Sequence, residues 1–135
     1  MTPAEELRAA ADKLRKLTAD LGDCRGPWYV VNREQRPYPQ RIDNIGVPYI
    51  VASTTTDPSH PPTIADYIVA MHPRVGLALA DWLDAAAHSH KCSIQAAGDV
   101  FRDDPDGRTA WLTTGSGAPS PEALAVARAI LGTTP

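Results

Sequence analysis

The sequence predicts an α+β fold on two observations. Helical periodicity marks the start, middle and end of the chain, and it gives way between residues 28 and 56 to short β-branched and aromatic runs. The expected arrangement is an N-terminal helix, a small antiparallel β-meander, and central and C-terminal helices packed on the sheet. A chain of 135 residues matches one domain, so residues 1–132 read as a single α+β domain and residues 133–135 as a disordered tail.

The first helix is marked at its start by Thr2 as N-cap, Pro3 at the first helical position and Glu5 at capping-box spacing. Leu7, Ala10, Leu14, Leu17 and Leu21 then recur every three or four residues as one apolar stripe. Arg8, Lys13, Arg15 and Lys16 fill the remaining face, and Gly22 is placed to end the helix.

Residues 28–31, 40–45 and 47–53 are the three strand candidates. Pro37, Pro39 and Gly46 separate them. The proline-rich stretch 55–62 reads as a surface loop leading to a short helix that begins at Thr63 and stops before Pro73. Pro73 opens the next helix, expected to run to about His88 with Val75, Leu79, Trp82, Leu83 and Ala86 facing the sheet. Residues 89–119 read either as a hairpin turning at Asp106-Gly107 or as a mobile loop, with Gly115-Ser116-Gly117 a flexible link. Ser120 and Pro121 start a last helix, Leu124, Ala127, Ile130 and Leu131 face inward, and Gly132 ends it.

Apolar residues make up 43% of the chain and charged residues 21%, which is ordinary globular usage; thirteen prolines indicate many loop corners. A net charge of -3 supplies no general attraction to phosphate backbones or anionic lipid and so disfavours nucleic acid and membrane partners. No apolar run reaches the roughly 18 residues of a membrane span. The N-terminus lacks the pattern of a secretion signal, so the expected location is cytoplasmic, with Cys24 and Cys92 as free thiols.

Three segments in order resemble small accessory proteins of actinobacterial phages and prophages, and more distantly the ead-type early-region proteins of lambdoid phages. Gly26-Pro27-Trp28 follows the first helix, residues 65–73 lead into the leucine-rich 75–83, and residues 123–131 resemble the closing helix. The resemblance covers about half the chain. It implies a phage-encoded accessory protein of the bacterial cytoplasm, with no catalytic residues carried over.

Arg25, Arg33, Arg36 and Arg41, with Tyr29 and Tyr38, concentrate guanidinium and aromatic groups in the first third of the chain, a composition suited to clamping an anionic, nucleotide-like ligand. His72, just before a helix start, is a candidate to join Arg33, Arg36, Tyr38 and Arg41 there. The bland reading makes the arginines edge guards and the tyrosines core.

His88, His90 and Cys92, with Asp84 one turn earlier, form a possible metal set, whose alternative is a solvated helix end. Asp81, Asp84 and His88 share the face expected to be solvent-exposed. Motifs for phosphate loops, zinc proteases, paired cysteines and serine hydrolases are missing, and no cofactor is implied. The expected function is therefore binding: sequestering or inhibiting a host component, either a small anionic ligand or a host protein, with a homo-oligomer expected from exposed apolar residues such as Leu77. A small metal-dependent hydrolase and a structural or regulatory protein without ligand are the alternatives.

Overall fold

Thr2 and Glu5 close the capping box that opens the first helix: the Glu5 carboxylate accepts the Thr2 N–H at 2.7 Å, and the Thr2 hydroxyl accepts the Glu5 N–H at 3.3 Å. In the computed structural model, which describes residues 1–31, 41–45, 50–53 and 63–133, this helix, α1, spans Pro3–Asp20. A 3-10 turn at Gly22–Cys24 follows. The remaining elements are β1 (Trp28–Val30), β2 (Arg41–Asn44), β3 (Ile50–Ser53), α2 (Thr63–Ala70), α3 (Pro73–Val100), α4 (Pro105–Thr113) and α5 (Pro121–Leu131). The fold is α+β, as expected.

The chain divides into two units, one of Met1–Arg15 with Leu79–Pro135 and the other of Lys16–Ala78. The first is helical. Leu7, Ala10 and Ala11 of α1, Ala80, Leu83 and Ala87 of α3, and Ala123, Leu124 and Ala127 of α5 form its buried cluster. Six of these nine residues are alanine, which lets helix backbones approach closely around the two faces of Leu7 and Leu83. Arg128 of α5 donates to the Glu6 carboxylate at 2.8 Å, and Lys13 donates to the Ile130 carbonyl at 2.6 Å, satisfying an acceptor in the last turn of α5.

The second unit holds the meander, in the order β1-β2-β3 with both pairs antiparallel. Trp28 lies opposite Asn44, Tyr29 opposite Asp43 and Val30 opposite Ile42, and a bulge between Ile42 and Asp43 shifts the register toward β3. Helix α2 packs on β1 and β2, with Ile42 and Ala65 fully buried in this unit. Gly26-Pro27-Trp28 forms the strand entry: the Trp28 indole N–H donates to the Cys24 carbonyl at 2.9 Å, and the Pro27 carbonyl accepts from Ile45 at 3.0 Å. Buried Asn44 ties strand to turn by donating to the Asp23 and Ile45 carbonyls, each at 3.1 Å.

Several expectations are corrected. Helix α3 does not stop near His88 but continues to Val100, about 42 Å in all, because its buried line of Ala80, Leu83, Ala87, His90 and Ala97 keeps helical spacing through the polar stretch. Leu83 is buried in a cluster with residues of α1 and α5, and Trp82, expected to face inward, is exposed. On α1 the buried positions are Leu7, Ala10, Ala11 and Thr18, with Leu14 half-buried, and Leu17 is left exposed.

Neither the hairpin nor the mobile loop of residues 89–119 is found. Asp104 caps a new helix there by accepting the Gly107 N–H at 2.9 Å, with Pro105 at its first turn. Gly115 and Gly117 are not a flexible link either, since a Cβ at Gly117 would run into the Trp111 ring. By contrast α5 begins and ends where its sequence indicates: the Ser120 hydroxyl accepts the Ala123 N–H at 3.1 Å, and Gly132 closes the helix at φ 74°. Residues 134 and 135 of the expected tail, and the loop 55–62, lie outside the described residues.

Candidate functional site

Of the proposed anion-binding set, Arg33, Arg36 and Tyr38 lie outside the described residues, while Arg41 and His72 are placed. Arg41 begins β2, and its guanidinium pairs with the carboxylate two residues along: Nη2 donates to Asp43 Oδ2 at 3.1 Å, and Nε lies 3.0 Å from Oδ1. Period-two alternation puts Arg41 and Asp43 on the sheet face that also carries Tyr29, whose strand partner is Asp43. Tyr29 is exposed there. Arg25 is turned back on its own turn, donating to the Gly22 carbonyl at 2.8 Å.

His72 has a local task. Its Nδ1 accepts the Arg74 N–H at 3.2 Å, satisfying one of the orphan donors in the first turn of α3. An anion at that helix start would meet a ring nitrogen already acting as acceptor.

The other candidate set lies on α3, and the helix divides it. His90 is buried, with Nδ1 3.2 Å from the Gly117 carbonyl, whereas His88 and Cys92 are exposed on another face and approach each other at 3.5 Å between Nε2 and Sγ. Asp84 is occupied by Arg15, whose Nη1 donates to Oδ2 at 2.5 Å while Nη2 donates to Asp81 Oδ1 at 2.9 Å. Bonds to Asp81 and then Asp84 hold the Arg15 guanidinium even more firmly protonated than usual. The acidic pair is thus clamped to α1. Among the described residues no three His, Cys, Asp or Glu side chains are arranged to hold one metal ion.

Arg15 is the residue that sequence reasoning missed, having been assigned simply to the polar face of α1. Two carboxylates three residues apart on one helix signal a need for a cation. Which helix supplies it depends on tertiary packing.

Exposed apolar residues form a different kind of site. Eight of the twelve large, exposed apolar side chains among the described residues belong to the unit Lys16–Ala78: Leu17 on α1 and Leu21 just after it, Tyr29, Val31 and Ile45 about the sheet, Tyr67 on α2 and Met71 just after it, and Leu77 on α3. Tyr67 is 69% exposed and Met71 47%, and their four-residue separation places them together on the side of α2 away from buried Ala65. Gly76 of α3 stands against Thr18 of α1, where a Cβ would meet the hydroxyl at 3.8 Å, while their neighbours Leu77 and Leu17 remain exposed. Among the described residues no helix is long and apolar enough to cross a membrane. The chain matches no family model, no curated protein and no solved structure.

Proposed function

We propose that this protein is a phage-encoded accessory factor that works by binding, covering a host protein with the apolar surface of the unit Lys16–Ala78 and so sequestering or inhibiting it. The observation carrying the binding reading is the concentration of exposed tyrosine, leucine, valine, isoleucine and methionine side chains in that unit. Water-facing apolar groups of this size are a recognisable mark of association surfaces, and aromatic anchors contribute most to their affinity. The phage origin rests on the ordered likeness of Gly26-Pro27-Trp28 and the two alanine- and leucine-rich stretches.

The small-anion form of the reading has less support, because Arg41 is paired with Asp43 and His72 caps α3. The hydrolase alternative loses its ligand cluster to the same geometry: Asp84 holds Arg15, and His90 faces the Gly117 carbonyl.

A photo-crosslinking residue at position 67 tests the assignment in the bacterial host, with position 102 on the helical unit as control. The expected result is one discrete host-protein adduct from position 67 alone, lost when Met71→Glu and Leu77→Glu are added while the melting temperature is retained. Adducts only between copies of this chain, or equal labelling from both positions, would remove the host-partner assignment.

A further inference from the structure

We propose that His88 and Cys92 form a surface chelate for a thiophilic divalent cation of the zinc class. The pair lies one helical turn apart on α3, where residues four positions apart stand on the same face. Cys92 Sγ and His88 Nε2 are 3.5 Å apart. A tetrahedral zinc ion with a sulfur at about 2.3 Å and an imidazole nitrogen at about 2.0–2.1 Å spans about 3.5 Å between those two ligands. The helix therefore already holds the donors at the bite the cation requires, and ordering them requires little further loss of side-chain freedom.

The surroundings leave room for the cation and its water ligands. Ala85 and Ala96, one turn to either side, are exposed and small, and both donors face solvent. Asp84 is kept by Arg15 and His90 by the Gly117 carbonyl, so among the described residues two ligands serve the cation and water fills the other positions. Without a cation the thiol and imidazole share a hydrogen bond. On binding, the sulfur loses its proton to solvent and both donor atoms turn their lone pairs to the metal.

This site belongs to the helical unit and does not depend on the apolar surface assigned above. Cobalt(II) is the probe, since it takes zinc's geometry and reports sulfur ligation by a thiolate-to-metal charge-transfer band. Titrating the reduced chain should produce that band to saturation, and added zinc should displace it. The band should disappear in Cys92→Ser and in His88→Ala, and persist in Cys24→Ser, which removes the other free thiol. His88 and Cys92 are exposed, so far-ultraviolet circular dichroism should show unchanged helix content in their variants. Absence of the band from the parent chain, its persistence without His88, or its loss with Cys24→Ser would overturn the assignment.

Discussion

Trp111 organises more of the helical unit than its half-buried surface suggests. Its ring stands 6.0 Å from that of Phe101, and two glycines lie against it. A Cβ at Gly115 would come within 2.8 Å of the Trp111 Cα, and one at Gly117 would enter the ring itself. The Gly117 carbonyl meanwhile faces the Nδ1 of buried His90. Gly117→Ala must therefore displace either the indole or a buried polar contact, and we expect it to destabilise the protein by about 1–3 kcal/mol in urea unfolding. A loss below about 0.5 kcal/mol would mean that the segment is free to move aside. These contacts were not legible in the sequence, where Gly-Ser-Gly has the composition of a link. Close approach to an aromatic ring leaves no local signature. The same holds for Arg15, whose two carboxylate partners are more than sixty positions away.

The start of α1 and both ends of α5 were read correctly, and a chemical group within four residues determines each of them. Ser120 and Gly132 bracket α5, and Thr2 with Glu5 opens α1, because capping satisfies local backbone donors and acceptors. Ser120→Ala should cost about 1 kcal/mol of stability in the same unfolding experiment. The end of α3 had no such signal near His88. Its continuation depends on His90 and Ala97 finding a buried environment, which is a tertiary property. Helix α4 was misread for another reason: Asp104-Pro105-Asp106-Gly107 suits a turn as well as a capped helix start.

The caps also give an acid dependence. Bonding to Thr2 lowers the Glu5 carboxyl below its ordinary 4.5, and bonding to its own backbone N–H and then Ser120 does the same for Glu122. A carboxyl whose pKa is lower when folded contributes stability above its unfolded value and loses that contribution as pH falls through the folded one. Stability should therefore decline below about pH 4.5, and Glu5→Gln with Glu122→Gln should flatten that decline in thermal melts taken across the acid range.

At the scale of the whole molecule, the α+β class and the three-strand meander were legible from the change of period after residue 28. The partition of the core was not. Helical stripes show that a face is buried without showing whether a sheet or another helix covers it. In the helical unit the answer is an alanine-rich helix cluster, and that composition sets the response to truncation. Leu83 is fully buried among Ala10, Ala11, Ala80, Ala87, Ala123 and Ala127 as well as the two leucines. Alanine has no rotamer with which to swing into a void, so only movement of helix backbones could fill the space left by Leu83→Ala. Backbone movement is opposed by the Glu6–Arg128 and Lys13–Ile130 contacts that hold α1 to α5. Most of the cavity should persist, placing the cost in the upper part of the range for such changes, about 3–5 kcal/mol. Leu77→Ala, at an exposed position, should fall within about 0.5 kcal/mol of the parent. Urea unfolding of both variants checks the contrast. A cost under about 2 kcal/mol for Leu83→Ala would show that the helices close the void, and that the small side chains of this core permit sliding instead of locking its packing.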